Sequence, residues 1–206
     1  MKKGQITIAK LASALLAVGF LAAILMSTTT SVSAHIVPSP CDFTTGGGFV
    51  LTDQGNHANF GLVGGCKNGA FFGHVNFVDH DPPGTNFFAG LHVSSDTIDA
   101  YFEPFAGSNV RDICGTADTN NPSIPTVKFR ARTEDNGEPG IGVDMFGLKI
   151  TATSGPFTGT SAVVVSTRLL AGGNIQLHKP NPSTTGPSTP PDEFNACGSA
   201  DSGLGS

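Results

Sequence analysis

Residues 127–150 read VKFRARTEDNGEPGIGVDMFGLKI, and this stretch decides the fold class. Apolar and polar residues alternate on both sides of a central run of turn-forming residues, which is the pattern of two β-strands joined by a turn. Within that run Asn136 and Gly137 tolerate a positive φ, and Pro139 has a fixed φ. The sequence therefore predicts a β-hairpin.

The register of this hairpin follows if Glu134 pairs with Ile141. Four apolar side chains then meet on one face, in the pairs Phe129–Phe146 and Val127–Leu148. The other face carries three basic side chains, those of Lys128, Arg130 and Arg132. From this geometry we expect Phe129→Ala to cost about 3–5 kcal/mol of stability and Arg130→Ala to cost within about 0.5 kcal/mol.

The N-terminus has the features of a secretory signal peptide. Lys2 and Lys3 precede an apolar run at residues 11–26, and Val32-Ser33-Ala34 has the small residues of a cleavage site. We predict that residues 1–34 are removed and that the protein is extracellular, with no stable membrane insertion after cleavage. The alternative is an uncleaved membrane anchor.

The remaining chain divides into a lead-in at residues 35–44, a single β domain at 45–179 and a Pro/Ser/Thr-rich tail at 180–206. The domain contains about eight or nine short strand-like runs separated by turn signals, which predicts an all-β fold, an antiparallel β-sandwich or small β-barrel. One predicted strand spans residues 86–96, with Phe87 on its apolar face. The tail has one core-forming residue, Phe194, and is predicted to be a linker or stalk.

All four cysteines lie beyond the signal peptide. An even number in an exported chain predicts two disulfides, and the connectivity is open. Spacing favours Cys66 with Cys114 inside the domain and Cys41 with Cys197 joining its ends. The sequence contains no C-x-x-C pair, which argues against zinc.

Charge and motifs narrow the classes of partner. Loss of Lys2, Lys3 and Lys10 with the signal leaves eight basic residues against 16 acidic ones, a net charge of −8. Such a surface argues against binding nucleic acid or anionic membranes. The glycines at residues 46–48 are not followed by a phosphate-loop pattern, so we predict no cofactor there. We attribute them to a β-bulge or to close backbone packing at the start of a strand.

The basic stripe of Lys128, Arg130 and Arg132 is the candidate binding site. It could take an acidic glycan or an acidic extracellular protein. The simpler interpretation is a solvated outer sheet face whose charges prevent aggregation.

Two other polar clusters are weaker candidates. The first comprises Asp79, Asp81, His74, His80 and His92. Carboxylates and imidazoles of this kind could act in acid–base chemistry or bind zinc. However, His74 and His80 lie about 20 Å apart along one strand, and Asp79 and His80 face opposite sides. The second is the turn that contains Asp135, Asn136 and Glu138, whose side-chain oxygens could bind calcium. Turn chemistry explains the same residues.

Four short motifs occur in the order seen in a family of secreted bacterial β-domains. They are TGGG at residues 45–48, FVDH at 77–80, EDNGEPG at 134–140 and GGNIQLHK at 172–179. Across residues 45–179 the chain resembles the post-COAP domains. The resemblance implies an extracellular, mostly β accessory module, and it implies no catalytic residues.

The leading functional hypothesis is a secreted, non-enzymatic β-module with a structural, adhesion or ligand-binding role. The alternatives are a small secreted hydrolase that uses Asp79 and His80, and a carrier that holds a small ligand in a phenylalanine-rich interior. An enzyme requires acid–base groups that converge in one pocket. A carrier requires an apolar cavity.

Overall fold

The computed structural model describes residues 35–200, 204 and 205. The predicted signal peptide lies outside these residues. The described chain forms nine strands and one short helix, which are β1 (Phe43–Leu51), β2 (His57–Lys67), β3 (Ala70–Asp79), β4 (His92–Phe102), β5 (Val110–Thr119), β6 (Thr126–Glu134), β7 (Met145–Ala152), β8 (Ser161–Leu169), β9 (Gly172–His178) and α1 (Glu193–Cys197). The all-β prediction is confirmed.

The nine strands form one antiparallel sheet in the order β8-β7-β6-β5-β4-β3-β2-β1-β9. Each strand from β1 to β8 pairs with the next, and β9 returns to pair with β1. The two edge strands, β8 and β9, are separated along the chain by only Leu170 and Ala171. Because this link is so short, the sheet must curl until its two edges come close together.

The main core lies inside the curl. Phe60 of β2 stacks on Phe146 of β7 with ring centroids 4.1 Å apart. Gly64 of β2 leaves room for Ile113 of β5, because a Cβ at Gly64 would come within 2.7 Å of the Ile113 side chain. Strands far apart in the sheet order thus pack against each other across the interior.

The predicted register of the β6–β7 hairpin is wrong by four residues. Glu134 pairs with Met145 instead of Ile141, so the loop runs over residues 135–144. Asp144 stabilises this longer loop, since its carboxylate accepts the Asn136 and Ile175 N–H groups. An even shift preserves which face each side chain occupies, so the predicted core face of β6 is still buried.

The predicted disulfide pairing is also wrong. The bridges are Cys41–Cys66 and Cys114–Cys197. Strands β3 and β4 lie between β2 and β5, which separates Cys66 from Cys114 by about 14 Å, too far for a bridge. Cys41, just before β1, instead lies beside the end of β2, with Cα atoms 5.9 Å apart in the bridge to Cys66.

The described part of the tail packs against the outer face of the sheet, so the linker or stalk prediction is wrong for these residues. Helix α1 begins at the cap residue Asp192, whose carboxylate accepts the Asn195 N–H. A second apolar cluster lies between α1 and strands β4 and β5, formed by Ala100, Phe102, Cys114, Ala196 and Cys197. Phe194, predicted as the core residue of the tail, is 66% exposed.

The close packing predicted for the glycines at residues 46–48 is confirmed at Gly46 and Gly48. Gly48 pairs with Gly173 between β1 and β9. A Cβ at Gly48 would lie 2.1 Å from the Gly172 carbonyl oxygen. The backbones can therefore approach only because side chains are missing at this point.

Candidate functional site

Two of the three side chains in the basic stripe of β6 are buried, and Lys128 is half-buried. Arg130 is fully buried and Arg132 is 2% exposed. Both guanidinium groups bind one buried carboxylate, with Arg130 Nη1 2.7 Å from Asp112 Oδ2 and Arg132 Nε 2.9 Å from Asp112 Oδ1. The predicted solvated stripe is thus an internal ion-pair network.

The C-terminal segment covers this network and supplies further acceptors. Glu193 of α1 pairs with Arg130 Nη2 at 2.5 Å and with His35 Nδ1 at 2.8 Å. Four basic side chains donate to backbone carbonyls of the segment, in the pairs Lys128–Asn195, Arg130–Ser199, Lys149–Ala200 and Arg132–Gly205. An acidic ligand on this face would have to displace the chain's own tail.

The histidines proposed for acid–base chemistry do not converge. His74 Nδ1 lies 3.0 Å from Ser95 Oγ, and His92 Nε2 lies 2.8 Å from Asn76 Oδ1, both on the exposed outer face of β3 and β4. His80 is exposed, whereas Asp79 is buried. Among the described residues no group of three His, Cys, Asp or Glu side chains is placed to hold a metal ion.

The turn considered for calcium has a structural role at the edge of β9. Asp135 Oδ2 accepts the Leu177 N–H at 2.7 Å, and Asp144 Oδ2 accepts the Ile175 N–H at 2.8 Å. Glu138 Oε1 accepts an N–H of the Asn174 amide. The two aspartates thus satisfy backbone N–H groups on the open edge of β9. The Asn136 side-chain oxygen accepts an N–H of the Asn109 amide, so each of the three residues has a protein partner.

A buried polar network occupies the interior at the same end of the strands as this turn. The Tyr101 hydroxyl donates to Asp42 Oδ1 at 2.7 Å, and Arg111 Nη2 binds Asp42 Oδ2 at 2.6 Å. Burial, and then the charge of Asp42, raises the pKa of Tyr101 well above its ordinary value. Every polar group named here has a partner inside the protein, so the network stabilises this end of the sheet.

The opposite end of the strands carries the candidate site. In an antiparallel meander the loops that follow the odd-numbered strands all emerge at one end. The loops after β3, β5 and β7, with β7 and β8 themselves, surround a pocket of about 300 Å³. Its lining is almost entirely apolar and consists of Phe87, Phe88, Ile124, Ile150, Ala152, Phe157, Thr160 and Ala162.

Two aromatic rings at the rim of this pocket, which we call the aromatic pocket, are exposed to solvent. Phe87 is 48% exposed and Phe157 is 44% exposed. Their ring centroids are 5.2 Å apart and the rings are nearly perpendicular, at 77°, a favourable edge-to-face geometry. The rings hold each other in place while leaving apolar surface in contact with water.

A second pocket adjoins the first and shares Phe87 and Phe88 with it. It has a volume of about 340 Å³ and lies between β8, the β1–β2 turn and the β3–β4 loop. Its polar lining includes Asp53, Asp79, Asp81 and Arg168. We call it the acidic pocket.

Sequence reasoning misses this site for a definite reason. Phe87 is predicted to lie on the apolar face of a strand at residues 86–96, but β4 begins only at His92, and Phe87 belongs to the preceding loop. Phe157 follows the Ser154-Gly155-Pro156 turn. A phenylalanine inside a turn-rich segment is the signal that could have indicated an exposed ring.

No family model, curated protein or solved structure matches this chain. The resemblance to post-COAP domains therefore stays a prediction from four short motifs. No helix among the described residues has the length and apolar character needed to cross a membrane. The two disulfides are typical of a protein from an oxidising compartment.

Proposed function

We propose that this protein is a secreted, non-enzymatic β-module that binds a small apolar ligand in the aromatic pocket. The observation that supports this is the exposed Phe87–Phe157 pair at the mouth of an apolar cavity. Exposing such rings to water is unfavourable, and a bound apolar group would remove that cost. The volume of about 300 Å³ suits an aromatic ring with a short alkyl chain.

Among the two predicted architectures, we infer that the small barrel is the better description. The nine strands form one continuous sheet, whereas a sandwich has two. The sheet edges also approach each other, because Arg168 of β8 donates to the Leu51 carbonyl of β1 and the Ala171 N–H donates to the Phe49 carbonyl. The pocket would then lie at the mouth of the barrel, where carriers hold ligands.

The hydrolase alternative is disfavoured by the positions of its proposed groups. His74 and His92 bind partners on the exposed outer face, the His80 side chain is exposed, and Asp79 lies on the inner face. A nucleophile, a base and an oxyanion donor must meet within hydrogen-bond distance for acyl transfer. No residue of the aromatic pocket supplies an imidazole or a carboxylate.

The test is a nuclear magnetic resonance titration of the ¹⁵N-labelled protein with 4-phenylbutanol, a neutral probe. We expect saturable shifts at Ala152, Thr160 and Ala162 and a dissociation constant of about 1 mM. Ala162→Leu should fill the pocket and weaken binding at least about tenfold, and Ile141→Ala, at an exposed site in the β6–β7 loop, should not.

An absence of saturable shifts up to the solubility limit of 4-phenylbutanol would overturn the proposal. Equal affinity in wild type and Ala162→Leu would overturn it as well, because the probe would then bind elsewhere.

A further inference from the structure

The acidic pocket has a charge that its own residues leave unbalanced. Arg168, its one basic lining residue, is paired with Asp53 at 2.8 Å. Its other N–H groups donate to the Leu51 carbonyl and to Ser166. Arg168 and Asp53 thus neutralise each other and leave Asp79 and Asp81 as the remaining charged groups.

Among the described residues, the side chains that hold the Asp81 carboxylate are all neutral. Thr52 Oγ1 donates to Oδ1 at 2.6 Å, and Asn86 Nδ2 donates to Oδ2 at 2.7 Å. Asn56 Nδ2 adds a third hydrogen bond at 3.0 Å. These contacts fix the position of Asp81 and leave its negative charge uncompensated.

The Asp79 carboxyl group lines the acidic pocket without a side-chain partner among the described residues. Asp79 is 4% exposed, and its Oδ1 accepts the Asp81 N–H at 2.6 Å. None of the described residues donates a hydrogen bond to Oδ2, and no described basic side chain forms an ion pair with Asp79. Burial raises the pKa of Asp79, and the charge of Asp81 adds to the rise. The Asp81 N–H hydrogen bond and the His80 charge oppose it.

The acidic pocket has a carboxylate oxygen without a protein donor, and it adjoins the apolar aromatic pocket. These two features together define the chemistry of a ligand that fits both pockets. The ligand needs a positive group with N–H donors for Asp79 and an apolar group for the phenylalanine rings. An anion would be repelled by the two carboxylates. A neutral hydroxyl could donate a hydrogen bond but would leave the charge uncompensated.

We propose that the ligand of this module is an amphipathic amine, whose aryl or alkyl group enters the aromatic pocket and whose ammonium group binds Asp79. This inference rests on the proposed function and names the ligand class for the same site. Phe87 and Phe88 line both pockets, so a single short molecule can occupy the two together. Their rings can also interact with the cation.

The experiment compares phenylalkylamines with one to four methylene groups against 4-phenylbutanol, by the same resonance titration at neutral pH. We expect the best amine to bind at least about tenfold more tightly than the alcohol, which corresponds to about 1.4 kcal/mol. Asp79→Asn should reduce the affinity for the amine to that for the alcohol and leave alcohol binding unchanged. Asp96→Asn, which removes an exposed charge outside both pockets, should preserve the preference.

A ligand-side control needs no variant and therefore no assumption about folding. N-Acetyl-4-phenylbutylamine keeps the aryl chain and loses the charge, and it should bind no more tightly than 4-phenylbutanol. If the alcohol binds and the amines gain nothing over the alcohol or the acetylated amine, the inference is overturned and the proposed function stands. If neither the alcohol nor any amine binds, both are overturned.

Discussion

Tyr101 offers a spectroscopic probe of the buried polar network. It is the only tyrosine, and the chain has no tryptophan. It is completely buried, with its hydroxyl bound to Asp42 and Thr44. Its raised pKa means that the folded protein keeps the phenolic proton at a pH where the unfolded chain, with the ordinary value of 10.0, loses it.

We therefore predict that the Tyr101 hydroxyl makes the free energy of unfolding fall as pH rises above about 10, because the unfolded state then binds fewer protons than the native state. Native protein should show no phenolate absorbance until it unfolds, whereas guanidinium-unfolded protein should titrate near the ordinary value. Phenolate absorbance that rises near pH 10 while the far-ultraviolet circular dichroism stays native would contradict the buried network.

Single residues also show the limit of sequence reasoning. The alternation in residues 127–150 correctly predicts which β6 side chains face the core, since Val127 and Phe129 are completely buried. It cannot predict the environment of the opposite face, because that depends on Asp112 of β5 and on the C-terminal segment, which contacts Arg130 from Glu193, 63 positions away in the chain. Two arginines look like solvent-exposed charges until the segment that covers them is known.

At the scale of elements, β6 and the C-terminal segment stabilise each other. Arg130 lies between Asp112 and Glu193 and also donates to the Ser199 carbonyl. The Cys114–Cys197 bridge holds α1 over the same strands. Removal of Arg130 would leave the buried Asp112 with Arg132 and Glu193 with His35. Such a loss of charge compensation inside a buried network is costly in proteins.

We accordingly predict that Arg130→Ala lowers the free energy of unfolding by about 3–5 kcal/mol, comparable with the effect of Phe129→Ala. This prediction replaces the expectation from sequence that Arg130→Ala changes the free energy of unfolding very little. Urea denaturation of both variants, with Lys67→Ala at an exposed position as control, provides the measurement. A loss of less than about 0.5 kcal/mol for Arg130→Ala, as is usual at surface positions, would show that the ion pairs contribute little.

At the scale of the whole molecule, local sequence patterns predict the fold class. They do not predict which distant parts of the chain come together. Alternation, turn residues and the number of runs are enough for an all-β antiparallel fold. The disulfide pairing depends on strand order, which places β3 and β4 between Cys66 and Cys114. The two pockets combine β8 with loops from distant parts of the chain, and no contiguous motif marks such a site.

The position of a bound probe would show directly whether the aromatic pocket binds an apolar ligand. We propose to measure intermolecular nuclear Overhauser effects between the ring protons of 4-phenylbutanol and the methyl groups of the protein. We expect contacts to the methyl groups of Ile150, Ala152 and Ala162, and also to the rings of Phe87 and Phe157. Contacts confined to other surfaces, such as the exposed Leu169 or Ile141, would contradict it.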